Sequence, residues 1–516
     1  MKRITSRHFT ALGEVLILVF GTVCLRAQDR GKTNVILIAL DQLQADQLHC
    51  YGNRRATSPH IDHLAEQGVL FSHYYTVAPW TSPSYSSLMT SLYPSRHGVT
   101  LFWHPGDPLI SGKVPLLAEI FRAHNYHTVA FVNNPLAGRE LTGRGFQEYY
   151  EPQGIAQALN ITQRLNQKNP NSYLRAPATV EHIMSWLDQH HSKPFFMFVV
   201  LLEPHSPYNP PPEHDLFKSD AYPDQSNTGY GLVRGHLLRL AMLGDQKAIE
   251  RLYELYDGKI HFVDHYVGQL MERLQELGLQ KNTLVVLTSD HGELLYSHPR
   301  HFLTFDHRSL YDAVMHVPLI IEGPGLPRGR VVNALGENID TAPTILNLVG
   351  LPPLNDAQGQ SLVPLIQAKV DAVQDYVYGE EDVVVPLRSV RNLHYKLIYN
   401  LWDSKKQLFD LDRDPGEHYN VAGQHPDVTN DLFHRLQKWM QENQPSKADQ
   451  LQRWKVFTKL EKEKVVDDQT TGGHCSSRVD TGNPTNYRRA EIMPEAAFGL
   501  KPEMDQKRRF GGPRTR

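Results

Sequence analysis

Two apolar runs that each end in a carboxylate constrain this chain more than any other feature. Thr33-Asn-Val-Ile-Leu-Ile-Ala-Leu-Asp41 and Asn282-Thr-Leu-Val-Val-Leu-Thr-Ser-Asp290-His291-Gly292-Glu293 lack the alternation of a half-solvated strand. They predict strands buried on both faces of a parallel sheet, where ligands bind at the carboxyl ends of the strands. Asp41 and the Asp290-His291 pair are therefore expected in one crevice, although far apart in the chain. Pro194 to Leu202, followed by Glu203-Pro-His205-Ser-Pro-Tyr208, and Val317 to Ile321, followed by Gly323-Pro-Gly325, have the same texture. Between the runs lie helical patterns at Ile61 to Gly68, Leu116 to His124 and about Gln246 through Leu279. Strands alternating with helices predict a doubly wound α/β domain, residues 33–352.

Beyond Pro352 the texture changes. Asp375 to Tyr399 reads as short antiparallel strands, Phe409 to Pro415 as a turn and Val428 to Met440 as an amphipathic helix, giving a smaller C-terminal subdomain over 353–445. Residues 446–516 are polar with charge runs and read as a partly disordered appendage. A net charge of −3 provides no broad basic field and excludes nucleic acid as the expected partner, and no stable protein partner is evident. Lys2, Arg3 and Arg7 before the apolar run Val15 to Leu25 form an export signal, residues 1–27, so the chain is expected in the periplasm or secreted. The alternative is a short uncleaved anchor, since a membrane span needs ~20 residues. Only Cys50 and Cys475 would survive cleavage, which excludes a Cys-rich zinc site and stability from a disulfide framework.

Thr81 precedes Pro83 at the start of a stretch in which Leu88, Met89 and Leu92 fall at helical spacing. Its plain reading is a helix N-cap. Its other reading is chemical: beside a metal and at the positive end of a helix dipole, the same oxygen is a nucleophile toward an anionic ester. Asp41, Asp290, His291 and Thr81 together supply oxygens and one nitrogen, a set that suits one divalent ion, zinc, manganese or calcium rather than copper. His97, His205, His298 and His307 are candidates for binding the non-bridging oxygens of the ester or protonating its leaving group.

From about Asn34 to Met440 these stretches resemble the sulfatase-like branch of the alkaline phosphatase superfamily. The carriers are Leu40-Asp41 with Asp46 and Cys50-Tyr51-Gly52, Ser58-Pro59-His60-Ile61-Asp62, the Thr81 stretch, Glu203-Pro-His205-Ser-Pro-Tyr208, Thr288-Ser-Asp290-His291-Gly292-Glu293, Leu310-Tyr311-Asp312 with Val317-Pro318-Leu319, and Leu408 to Glu417. The resemblance implies an alkaline-phosphatase-like sheet flanked by helices, with Asp41, Asp290 and His291 as metal ligands and Thr81 at the nucleophile position. It further implies that His205 is the His after the middle strand and that His307 falls near a Lys or His contacting ester oxygens. His97 matches a polar position after the nucleophile helix.

The departures matter. Sulfatases proper carry Cys or Ser converted to formylglycine within a Cys-x-Pro-x-Arg type signal, whereas this chain has Thr81-Ser-Pro-Ser-Tyr85, so no formylglycine is expected and the Arg is replaced by Tyr85. A Thr ester must be cleaved by water or another acceptor, which moves the chemistry toward phosphoric esters. Gln42 stands where many sulfatases have a second Asp, which makes a calcium-like shell less fitting. The favoured reading is a hydrolase of sulfuric or phosphoric esters carried by a small molecule, glycan or lipid. The alternatives are a phosphoethanolamine-type phosphoryl transferase and a non-catalytic ester-binding relative. Specificity is expected from the loops around Trp103 to Gly112 and Asn209 to Met242.

Overall fold

A computed structural model of the chain describes residues 32–100, 110–151, 176–206, 208–219, 237–295, 297–298 and 307–444. The expected export signal, the polar tail and most of the two specificity loops lie outside these residues.

Strand β1 (Asn34–Leu40) runs through the middle of an eight-stranded sheet and is buried along its whole length. Alternation sends Val35, Leu37 and Ala39 into the core on one face and Ile36, Ile38 and Leu40 into the core on the other. Its neighbours, β5 (Phe195–Leu201) and β6 (Thr283–Ser289), are parallel to it and equally buried. The remaining strands are β2 (Val69–Tyr75), β3 (His127–Val132), β4 (Glu148–Tyr150), β7 (Leu319–Glu322) and β8 (Arg330–Glu337). The order is β4-β3-β5-β1-β6-β7-β2-β8. Among the described strands of this sheet only β7 is antiparallel to its neighbours, because the chain leaves β6 at the carboxyl edge and re-enters the sheet from that same edge.

Helices cover both faces: α1 (Pro59–Gln67), α2 (Thr81–Thr90), α3 (Leu117–Ala123), α4 (Ala176–His190), α5 (Gln246–Glu276) and α6 (Thr341–Leu348). Helix α5 is capped by Asp245, whose carboxylate accepts the Lys247 and Ala248 N–H groups, and it packs on α1 and α4. Asp264 of α5 then accepts the His60 and Ile61 N–H groups in the first turn of α1, at 2.8–3.1 Å. The cap of α2 is Trp80, and Thr81 is the first helical residue. Thr81 is thus not the N-cap that its place before Pro83 predicts, and its hydroxyl is left for other use.

A second sheet, antiparallel throughout, comprises β9 (Val377–Glu381), β10 (Leu387–Arg391), β11 (Tyr395–Asn400) and β12 (Lys406–Asp410). Helix α7 (Pro426–Glu442) closes it, with Leu432, Leu436 and Trp439 against Val390, Leu397 and Leu408. A buried ion cluster joins the two sheets. Asp312 meets Arg391 at 2.6 Å and Lys396 at 2.7 Å, while Lys396 also meets Glu417 at 2.9 Å. Burial pushes the Asp312 carboxyl up, but Arg391 and Lys396 outweigh it and hold the group well below the usual carboxylate range.

Asp312→Ala would strand two buried cations with one remaining carboxylate, and breaking a buried pair in this way costs about 3 kcal/mol. The Asp312 contribution is present above the unfolded carboxylate pKa of about 3.9 and is lost only as pH falls below that value. Urea unfolding near neutral pH is therefore expected to show a lower midpoint for the variant. An unchanged midpoint would remove the cluster from the stability of the joint.

Candidate active site

The register of β1 and β6 pairs Leu40 with Ser289, so Asp41 and Asp290 leave adjacent strands side by side. Asp41, Asp290 and His291 each place one ligand atom within 4.8 Å of the others, and all three residues are buried. One oxygen of each carboxylate is committed to orientation. Asp290 Oδ1 accepts the N–H groups of Gln42 at 3.2 Å and His291 at 2.9 Å, and Asp41 Oδ2 accepts from the Asn134 amide. The other oxygens, Asp41 Oδ1 and Asp290 Oδ2, are buried with no hydrogen-bond partner among the described residues. His291 donates Nδ1–H to the Gly292 carbonyl at 2.9 Å, leaving the Nε2 lone pair 3.4 Å from Asp290 Oδ2. Two orphaned anionic oxygens beside an imidazole lone pair form a donor set for a divalent cation.

The electrostatics agree with that fit. Burial, and then the charge of Asp290, pushes the Asp41 carboxyl well above its ordinary value. Burial pushes Asp290 up to about 6 and His291 down to about 3. Without a cation the crevice favours neutral groups; a dication reverses that preference and draws the protons off the carboxylates.

Thr81 Oγ1 stands 3.5 Å from His291 Nε2. The serines of α2 explain how the helix reaches this position. Ser84 Oγ donates to the Asp290 carbonyl at 2.7 Å and Ser82 Oγ to the Leu136 carbonyl at 2.9 Å, so small hydroxyl side chains seat a fully buried helix directly against the strand-end loops. The first turn, with its partial positive charge, thus ends beside His291, and the Thr81 hydroxyl acts on the Asp290 carboxyl.

The four histidines separate into two pairs. The His307 ring stacks on His291 at 4.3 Å between centres and meets Trp80 edge-on at 4.5 Å, with Nδ1–H donated to the Pro79 carbonyl at 2.6 Å. His205 follows β5, and its charge bears on both Asp290 and His291. His97 instead accepts the Val99 N–H at Nδ1 and donates from Nε2 to Ser87 Oγ at 2.9 Å. Ser87 lies about 9 Å along the helix axis from Thr81 at the usual rise per residue. His298 stacks on Tyr311 at 3.8 Å.

Sequence reasoning assigned no role to three residues here. Asn134 orients Asp41 from the loop after β3, and the strand-end rule would have found it had β3 been recognised. Glu203 adds negative charge beside Asp41, and Lys259 of α5 faces Glu203 at 4.0 Å with both side chains buried. Lys259 carries no signal in the sequence, since it sits within the apolar stripe of a helix.

Residues 33–351 match the family described as Sulfatase, and residues 301–445 the one described as N-sulphoglucosamine sulphohydrolase, C-terminal. The chain belongs to the sulfatase family of the alkaline phosphatase superfamily, whose members are metal-dependent, and is a sulfatase-like ester hydrolase. It is 26% identical over 452 residues to an arylsulfatase of Clostridium perfringens, covering 76% of this chain and 90% of that protein. It is likewise 26% identical over 424 residues to a Delta 4,5-hexuronate-2-O-sulfatase of Bacteroides thetaiotaomicron, covering 77% and 86%. Among solved structures, the phosphonate monoester hydrolase of Agrobacterium radiobacter shares the fold with a TM-score of 0.65 at 22% identity, over 80% of this chain and 96% of that one.

These titrations predict a pH dependence. A carboxyl raised from 3.8 to about 6 contributes stability that is full below 3.8 and lost as pH rises through about 6 in the metal-free protein. Metal binding requires the deprotonated form, so the rise in Tm on adding manganese or zinc is expected to grow from about pH 5 to about pH 7. A metal-induced rise of the same size at both pH values would count against this ligand set.

Proposed function

We propose that this sulfatase-family hydrolase cleaves sulfuric or phosphoric esters through the hydroxyl of Thr81, with one divalent ion held by Asp41, Asp290, His291 and Thr81 and no formylglycine. The observation that carries this reading is the position of Thr81 Oγ1, at the first residue of α2 and 3.5 Å from His291 Nε2. A divalent ion bound there supplies a Lewis acid that lowers the pKa of the hydroxyl and withdraws charge from the ester oxygens.

The protein side chains perform the remaining steps. Thr81 Oγ attacks the sulfur or phosphorus, its proton leaves to solvent, and the new bond forms as the bond to the leaving oxygen breaks. His205 and His307 flank the ester, binding its non-bridging oxygens or giving the leaving oxygen a proton. Water then cleaves the Thr81 ester, releasing free acid and restoring the hydroxyl. Asn134 and the Gln42 and His291 amides keep the two carboxylates in place throughout.

The proposed catalytic unit spans residues 33–352, with 353–445 as a C-terminal subdomain that backs it. A glycan or small-molecule ester is the proposed substrate, in line with the hexuronate sulfatase among the relatives. The proposed location is outside the cytoplasm, directed by residues 1–27. Among the described residues no helix is long and apolar enough to cross a membrane.

Purified protein screened against aryl sulfate, phosphate monoester and phosphodiester substrates, with metal analysis of the same sample, tests the reading. Thr81→Ala is expected to lose at least about 10³-fold in kcat while keeping most of its metal, since Asp41, Asp290 and His291 remain. Thr81→Ser retains the oxygen and is expected to keep part of the rate. Near-normal turnover in Thr81→Ala would mean that water attacks directly, and the nucleophile assignment would fall.

A further inference from the structure

A histidine cluster lies apart from the ester site. On α5, His261 and His265 stand four residues apart and share a face. His214, which ends the short 3-10 turn Pro212–His214, packs onto that face with its Nδ1 2.9 Å from the Nδ1 of His261 and ring centres 5.1 Å apart. The His265 ring is 5.7 Å from that of His214, and its Nε2 contacts Gln269 Nε2 at 2.9 Å. His60 of α1 completes the row, 6.5 Å from His265. Gly258 permits the approach: a Cβ there would meet the His214 carbonyl oxygen at 2.9 Å and Pro210 Cγ at 2.7 Å.

Two imidazoles meeting Nδ1 to Nδ1 share one hydrogen, because one nitrogen donates while the other accepts. Burial and the neighbouring imidazoles hold both His214 and His261 below their ordinary pKa, so the pair is neutral near pH 7. Neutral, adjacent and nitrogen-only, the cluster differs from the oxygen-rich set at Thr81. Imidazole nitrogens suit zinc, nickel and copper(II).

We propose that His214, His261 and His265 form a second metal site on the outer face of α5, taking one zinc-class ion. A tetrahedral ion about 2.05 Å from each nitrogen separates the nitrogens by about 3.3 Å and the ring centres by about 5 Å. The His214–His261 pair stands at 2.9 and 5.1 Å and needs only a small opening. His265 is exposed and does not yet bring a nitrogen within 4.8 Å of both partners, so completing the site requires its ring to rotate away from Gln269. The ring that carries the shared hydrogen on Nδ1 moves it to Nε2 through solvent, so three neutral ligands form without net loss of a proton. The ion fastens the turn Pro212–His214 to α5. Nearby in the chain, the Tyr208 hydroxyl meets Glu293 at 3.2 Å beside the ester site.

Cobalt(II) titration of the metal-stripped protein, read by its visible absorption, tests the site by ion count and not by ester turnover, so its outcome stands apart from the role of Thr81. The wild type is expected to bind two ions per chain and Asp290→Asn one. Adding His261→Gln and His265→Gln to Asp290→Asn should weaken that remaining ion at least about 100-fold. In the wild-type background the same two changes should leave one ion, which keeps the test open should Asp290→Asn misfold. His214→Gln alone should weaken the second ion more than tenfold. An unchanged count and affinity in the double His variant, a single ion in the wild type, or an affinity in His214→Gln within about twofold of wild type would each overturn the proposal.

Discussion

Two buried carboxylates at the ends of adjacent strands repel one another when both are ionised, and much of the surrounding structure holds that repulsion in check. At the outer limit of 4.8 Å between ligand atoms, the repulsion of Asp41 and Asp290 is about 3.5 kcal/mol for an effective dielectric of ~20. A hydrogen bond to a carboxylate contributes about 1.5–3 kcal/mol, so the Asn134 amide and the two backbone N–H groups offset the repulsion and orient the pair, yet bring no charge that cancels it. The start of α2 adds a partial positive charge and Lys259 compensates Glu203 from behind. What remains is a pair of unpaired oxygens whose carboxyls hold their protons until a cation displaces them, which defines a cation site by its electrostatics as much as by its shape.

The strands that carry this pair were legible because burial on both faces writes a continuous apolar run. β1, β5 and β6 show it; β2, with Ser72 and His73 half-exposed, and β8, which alternates over part of its length, do not. The direction of β7 was not legible, since an apolar run looks the same in either direction and only the return of the chain at the carboxyl edge decides it. Asp41, Asp290 and His291 were legible because each follows a readable strand. Asn134 was hidden because β3 opens on His127 and Thr128 and shows only four apolar residues in a row, and Lys259 because its partner Glu203 lies far from it in sequence. Histidine was the least informative residue type. All four candidate histidines have ring contacts: His97, at the end of the helical turn Pro94–His97, with Ser87, His298 with Tyr311, His205 with the Ser206 carbonyl and His307 with the Pro79 carbonyl.

The C-terminal sheet takes part in the same construction. The Glu380 N–H donates to the Val77 carbonyl at 2.9 Å, and Val77 packs into the apolar core shared by β10, β11 and α7. Val77 lies in the segment that carries the chain from β2 to Thr81. Together with the Asp312 cluster, this contact places the second sheet directly behind the turn that delivers the hydroxyl.

Helix α2 has a consequence of its own. Serines and threonines dominate it, Pro83 sits in its first turn, and it spans ten residues, a length and composition that hold little helix in water. Its hydroxyls are satisfied by partners from elsewhere in the fold as well as by its own carbonyls, among them Leu136, Asp290 and Asn338. The element therefore borrows its shape from sockets that exist only once distant parts of the chain have docked. A half-assembled chain carries Thr81 without the dipole beneath it or the carboxylates beside it, so this grouping of hydroxyl, helix end and carboxylates is a seal set on finished assembly.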